Sequence, residues 1–248
     1  MKNMSKNLTD ILKNKNCFIT GATGGIGKCI AMKMTENECN LFLTSPSARE
    51  LKRLKEEIKD AYGNGIKVFY KEGDLNKVED IKRIIDEAKK KFKFVDILIN
   101  CAGVFPVKSL QDSNLEDFDN CFNVNIRAPF LFCKAFSRSM IKNKWGRIVN
   151  IGSSSAYGGF KETSAYCSSK HALLGLSRAL HCELKEYGVR VFCVSPASVK
   201  TEIGKKVTWQ DYNTFINPED IAKYISFIVS FDGDMVSDEV RLNRMITQ

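Results

Sequence analysis

Short apolar runs alternate with amphipathic stretches along almost the whole chain, and nothing else in the sequence restricts the fold as much. The apolar runs fall at residues 16–20, 40–44, 66–70, 95–100, 147–151 and 189–194, and 236–242 offers a last strand. Between them, apolar residues recur at helical spacing over 28–35, 48–62, 78–92, 115–140 and 162–187, and again over 221–231. Strands joined through helical crossovers pair in parallel, and strands apolar on both sides need cover on both faces. The order therefore predicts an α/β fold: a doubly wound parallel sheet of about seven strands, helices on both faces, in a single domain over 1–248. Pro129 should kink or restart the 115–140 helix. Residues 1–14 read as a polar extension with a short amphipathic piece at 8–12. A polar, partly aromatic insertion at 198–217 supplies a candidate lid over about 201–217.

Composition excludes several classes. The net charge of +9 comes from lysines spread along the chain, with no basic run interleaved with aromatics, so no nucleic-acid partner is expected. Nine cysteines are scattered without a Cys-x-x-Cys pair, and His171 and His181 lack a ligand partner at useful spacing. That pattern predicts a reducing compartment and no metal. No run approaches the ~20 apolar residues of a membrane span, and residues 1–16 carry no apolar signal core. A cytoplasmic location without a membrane partner is the expectation.

The first strand runs into Gly21-Ala-Thr-Gly-Gly-Ile-Gly27, and helical spacing follows. In that context Gly21 permits the tight turn, Gly25 lets backbone approach a pyrophosphate and Gly27 lets the helix pack on the strand. Thr23 and Ile26 belong to the same turn, and the helix start faces the phosphates. The end of the second strand reads Thr44-Ser45-Pro46-Ser47-Ala48-Arg49. It lacks the acid that NAD binders usually place there for the ribose 2′-hydroxyl, while Ser45, Ser47 and Arg49 could accept a 2′-phosphate. NADP is the expected cofactor and NAD the alternative; Arg49 could equally be the first exposed turn of the next helix. Asp74-Leu75 follows the third strand, where Asp74 can contact an adenine amino group or serve as a cap or turn. Cys101-Ala-Gly103 puts small residues at the end of the fourth strand, as a ligand crevice needs. Asn123 and Asn125 precede the expected kink and read as a polar face or cap.

Tyr166 and Lys170 lie one helical turn apart on one face. An ammonium near a phenol favours the phenolate and should bring the tyrosine toward neutral pH. With the glycine turn, Asn100-Cys-Ala-Gly103 and Ser153 to Tyr166-x-x-x-Lys170 in this order, the chain resembles the short-chain dehydrogenase/reductase family over about residues 16–242, and so a Rossmann-type fold.

The resemblance implies that Tyr166 is the catalytic tyrosine and Lys170 its lysine partner, which also bonds the nicotinamide ribose. It makes Ser153, thirteen residues ahead of the tyrosine, the serine that polarises the substrate oxygen, with Ser154 the fallback. It makes Asn125, closing Asn123-Val-Asn125, the residue that holds a water linking Lys170 to solvent. It assigns cofactor contacts to Gly21, Gly25 and Gly27, to Asp74 and Leu75, to Asn100, Ala102 and Gly103, and to Pro196, Val199 and Thr201. Cys101 and Ala197 depart from the family pattern, as does the C-terminal MVSDEVRLNRMITQ.

The implied activity is hydride transfer between a nicotinamide and a small carbonyl or alcohol, of the ketone or aldehyde reductase type. Alternatives are an NAD-dependent alcohol or sugar dehydrogenase of the same family and, from another class, a non-catalytic NADP-binding sensor or scaffold. Val104, Phe105, Ser155, Tyr157, Phe160 and Trp209 are the expected pocket, and Lys205 and Lys206 are lid cations. A homodimer or homotetramer is implied, with the helices of 115–140 and 166–187 as its natural interface.

Overall fold

The structure is a computed structural model and describes residues 8–246; the rest of the polar extension, residues 1–7, lies outside them. Helix α1 (Leu8–Leu12) leads into β1 (Asn16–Thr20), α2 (Gly25–Glu36), β2 (Asn40–Thr44), α3 (Ala48–Tyr62), β3 (Val68–Tyr70), α4 (Val78–Lys91) and β4 (Ile97–Asn100). Then come α5 (Leu115–Phe122), α6 (Ala128–Asn143), β5 (Gly146–Ile151), α7 (Ser164–Leu184), β6 (Val189–Pro196), α8 (Pro218–Ser230) and β7 (Glu239–Leu242).

The seven strands form one parallel sheet in the order β3-β2-β1-β4-β5-β6-β7. The alternation of strands and helices thus gives the doubly wound sheet it predicts. Period-two alternation divides each strand between two cores. Cys17, Ile19, Ile97, Ile99, Val149 and Val194 pack under α2, α3 and α8, whereas Phe18, Leu98, Ile148 and Val191 pack under α4 and α6. Phe18 stacks on Phe42 across the β1–β2 pair and meets Phe132 and Phe136 of α6, which fixes that helix over the sheet centre. At the opposite end from the ligand crevice, the buried Arg147 guanidinium ties β5 to the last turn of α8 through Val229 O and to the chain after it through Asp232.

The strand order reverses between β1 and β4, so the chain diverges there to either side and opens a crevice beyond the strands' C-terminal ends. The expected break near Pro129 is a π-helical turn over Asn123–Arg127, and Pro129 then sits in the first turn of α6, where its missing N–H costs nothing. Asn114 starts α5 with a capping box to Asp117. Several expected ends move by two or three residues. β3 starts at Val68 rather than 66 and β4 at Ile97 rather than 95, and α7 runs Ser164–Leu184 with a 3₁₀ turn to Tyr187.

Candidate active site

The crevice is a cleft of about 520 Å³ that runs from the β1–α2 turn, past the ends of β2 and β4, to the start of α7 and the segment after β6. Its first wall is the glycine turn. Gly21 has φ of +63°, and a Cβ there would lie 2.7 Å from the Ala102 Cα; at Gly27 it would lie 2.1 Å from the Gly21 carbonyl oxygen. Only glycine fits both, because turn, β4 end and helix pack backbone to backbone. A Cβ on Gly25 would meet the Thr201 methyl at 2.6 Å, so the segment after β6 closes directly over the turn. The N-cap of α2 is Gly24, which gives no side-chain cap, so the helix opens uncapped N–H groups to the cleft.

Thr20, at the end of β1, accepts from Cys101 N at 3.1 Å and Ala102 N at 3.0 Å and sets the height of the β4 end. The sequence signal for it is its place just before the glycine turn. At the end of β2, the Thr44 and Ser45 hydroxyls are buried without a hydrogen-bond partner, and both residues line the cleft. Unpartnered buried hydroxyls in a cleft wall call for a polar ligand. Together with the uncapped helix and the glycine floor, they fit a dinucleotide.

Ser153, Tyr166 and Lys170 converge at the other end of the cleft. Ser153 caps the 3₁₀ turn Ser154–Ala156, accepting from Ser155 N at 3.1 Å. Lys170 is 4% exposed and donates to the Ile151 carbonyl at 2.8 Å. Its ammonium lies 5.7 Å from the centre of the Tyr166 ring, and the Phe105 ring packs edge-on against that ring at 4.5 Å. Burial brings the Lys170 ammonium down to about 8. Burial likewise pushes the Tyr166 phenol up to about 12, with the Ser153 hydroxyl pulling the other way. For the chain alone the expected depression of the tyrosine is therefore replaced by a rise, whose main cause is desolvation.

The π turn carries Asn125 behind the cleft. Its Nδ2 donates to Ser169 Oγ at 2.9 Å and Val104 O at 3.1 Å, and its Oδ1 accepts from Val104 N at 2.9 Å. The side chain thus pins the β4 end to α7. Ser169, next to Lys170, is a partner that sequence reasoning missed.

The glycines, Thr23, Ile26, Ser45, Asp74, Leu75, Ala102, Gly103, Pro196, Val199 and Thr201 all line the cleft, as do Val104, Phe105, Ser155, Phe160 and Trp209. Asp74 also makes a turn, accepting from Asn76 N at 2.9 Å. Besides Asn125, four expected residues fall outside the cleft wall. Ser47 is the N-cap of α3, accepting from Glu50 N, and with Arg49, Lys52 and Arg53 it lines a separate depression on that helix. The Asn100 side chain is a buried rung between strands, donating to Asn150 Oδ1 at 2.8 Å. Tyr157 is turned away by the 3₁₀ turn and packs on Ala156, Leu174 and Cys193, with the Arg241 guanidinium 4.5 Å above its ring. Cleft residues that the sequence did not single out include Thr163, Ile203, Val207 and Gln210. Among the described residues, no helix is long and apolar enough to cross a membrane, and no cluster of His, Cys, Asp and Glu could hold a metal ion.

Comparison with known proteins agrees with this geometry. Residues 15–211 match the model of the family described as short chain dehydrogenase. (+)-Borneol dehydrogenase 2 of Salvia officinalis is 30% identical, over 91% of this chain and 86% of that protein. The NAD-dependent glycerol dehydrogenase of Listeria innocua is also 30% identical, over 94% of this chain and 92% of its own. Among solved structures, a metagenomic short-chain oxidoreductase in complex with NADP superposes with a TM-score of 0.83 at 28% identity, covering 95% of this chain and 100% of that one. A parallel sheet with its crevice at the β1–β4 divergence, and a family match over most of the chain, lead to one assignment: the chain belongs to the short-chain dehydrogenase/reductase family and is a nicotinamide-dependent oxidoreductase.

Proposed function

We propose that the protein is an NADP-dependent reductase of ketones or aldehydes, with Ser153, Tyr166, Lys170 and Asn125 as its catalytic set. The observation that carries this reading is the convergence of Ser153, Tyr166 and Lys170 at one end of a cleft whose other end is a glycine floor under an uncapped helix. Bound nicotinamide supplies or accepts the hydride. The chain's own residues handle the oxygen. The Ser153 hydroxyl donates to the substrate oxygen and stabilises charge as it develops there. Tyr166, protonated at neutral pH, gives its proton to the forming alkoxide. The Lys170 ammonium, anchored on Ile151 O, holds positive charge beside the phenol and would hold the ribose of a bound nicotinamide. The Asn125 side chain is held by Val104 and Ser169, with one lone pair of its Oδ1 open to a water.

NADP is favoured because the β2 end offers the unpartnered Thr44 and Ser45 hydroxyls and no carboxylate. The cofactor named for the Listeria innocua relative keeps NAD as the second reading. An intact Ser-Tyr-Lys-Asn set argues against a non-catalytic sensor. Exposed Leu115, Phe118 and Phe130 on α5 and α6 support self-association as a dimer or tetramer.

The test is steady-state turnover of a carbonyl panel with NADPH and NADH, for the wild type and for Tyr166→Phe. NADPH should give the higher kcat/KM. The variant should lose at least about a thousandfold in kcat, within the range by which removing a key catalytic group lowers turnover, while still binding NADPH. Undiminished turnover in the variant would refute the assignment of Tyr166.

A further inference from the structure

We propose that the substrate is a neutral, apolar carbonyl compound whose hydrocarbon part lies against Phe160, Ile203 and Trp209. This rests on the reductase reading above and names the substrate class of that site.

Three large apolar side chains at the cleft mouth remain unburied: Phe160 is 45% exposed, Ile203 44% and Trp209 50%. Each exposed apolar surface is ordinary alone, but these three come from two separate segments and line the same cleft. Phe105 continues the apolar wall inward to the Tyr166 ring. The segments are held in place. The Thr163 hydroxyl donates to the Phe160 carbonyl at 2.8 Å, and the lid is fixed at its far end by the Val199–Ile216 bridge and by Arg244 Nη1 on Thr214 Oγ1 at 2.7 Å.

Both lid lysines and the Gln210 carbonyl oxygen already have partners within the chain. Lys205 Nζ pairs with the Glu202 carboxylate at 2.6 Å, and Lys206 Nζ donates to the Phe105 carbonyl at 3.3 Å across the cleft. The Ser198 hydroxyl donates to Gln210 Oε1 at 2.7 Å. A polyol would need unspent donors and acceptors along this wall, and an anion an unengaged cation. What faces a ligand between Phe105, Phe160, Ile203 and Trp209 is apolar surface, leading to the Ser153 and Tyr166 hydroxyls at the reacting end with Ser154 and Ser155 beside them. Hydrocarbon that enters gains by leaving water.

The experiment measures kcat/KM for methyl ketones from acetone to octanone, with dihydroxyacetone as the polyol and pyruvate as the anion, using the better nicotinamide cofactor. The expected result is a rise of about two- to fourfold per added methylene until the wall is covered. Octanone should exceed both dihydroxyacetone and pyruvate. In Trp209→Ala the octanone-to-acetone ratio should fall at least about tenfold, whereas Trp209→Phe should keep most of it. Preference for dihydroxyacetone or pyruvate overturns the proposal and leaves the reductase reading standing. So does a chain-length slope that neither Trp209→Ala nor Phe160→Ala changes. Absence of turnover with every carbonyl, and with every corresponding alcohol in reverse, overturns the reductase reading itself and this proposal with it.

Discussion

Lys170→Met should make the folded protein more stable at neutral pH while abolishing turnover. Lys170 is 4% exposed, and burial lowers its ammonium from 10.5 to about 8. At about 1.4 kcal/mol per unit, keeping that charge inside the fold costs on the order of 3 kcal/mol. Methionine has a similar length and no charge. It loses the hydrogen bond to the Ile151 carbonyl, a contribution of about 1–2 kcal/mol. The net gain at pH 7 is then about 1–2 kcal/mol.

The pH dependence separates this account from simple repacking. The unfolded lysine keeps its proton to about 10.5, while the folded one releases it near 8. Between those values the unfolded state binds more protons, so this group adds to wild-type stability as pH rises. Its penalty is fully present below pH 8 and gone above about pH 10.5. The buried thiols of Cys39, Cys101 and Cys133, pushed up from 9.0 to about 12, act in the opposite sense between those values, which overlaps the upper part of the lysine window. Cys39 and Cys133 do not feel Lys170 and cancel in the difference between the two proteins, which therefore carries the information. Urea unfolding under reductant at pH 7, 8.5 and 10 would show the variant's advantage shrinking by about 3 kcal/mol and changing sign. A variant less stable than wild type at pH 7, with a difference that does not move with pH, would refute the reasoning.

Three further outcomes follow from contacts at the site. Ser45→Asp puts a carboxylate beside the unpartnered Thr44 hydroxyl, so the ratio of kcat/KM for NADPH over NADH should drop at least about tenfold; an unchanged ratio would remove the β2 end from cofactor selection. Gly27→Ala forces a Cβ to 2.1 Å from the Gly21 carbonyl oxygen, so the melting temperature should fall with a loss of at least about 3 kcal/mol, and cofactor binding with it. Ser169→Ala leaves Asn125 Nδ2 with Val104 O as its remaining strong partner, so kcat should fall severalfold with KM nearly constant; identical kcat would make the Asn125–Ser169 bond merely structural.

The fold was legible because each strand is apolar on both sides and each helix on one, and only a two-faced parallel sheet satisfies both patterns. The glycine turn was legible for a related reason: Gly21 and Gly27 stand where backbone meets backbone, and no other residue fits. Side-chain commitments were not legible. Asn100 and Tyr157 sit next to cleft residues in sequence, yet one is absorbed by a rung to Asn150 and the other is turned away by the 3₁₀ turn after Ser153. Ser47 and Arg49 suit a phosphate by type, but the start of α3 claims the first as its cap and carries the second onto the outer face. The π turn had a sequence trace in Pro129, which marked the break without saying that the preceding turn would widen and carry Asn125 to Val104 and Ser169. Helical spacing brought Tyr166 and Lys170 together; the burial that sets their protonation depends on contacts distant in sequence.

That burial bears on direction. Residue types alone suggest a tyrosine eased toward its phenolate by a lysine, which would suit proton abstraction from an alcohol. In the folded chain the phenol is held up to about 12 and the ammonium down to about 8, each by desolvation. Of the two, the lysine releases its proton at the lower pH. At neutral pH the phenol therefore keeps its proton and Lys170 most of its charge. That is the state a carbonyl reductase needs before reaction: a proton to give, a cation beside the oxygen that gives it, and the Ser153 hydroxyl on the same side. Running the reaction the other way first requires taking a proton from a buried phenol, at a cost set by the same desolvation. With its phenol protonated and its ammonium charged, the site is in the state from which the proposed reduction starts.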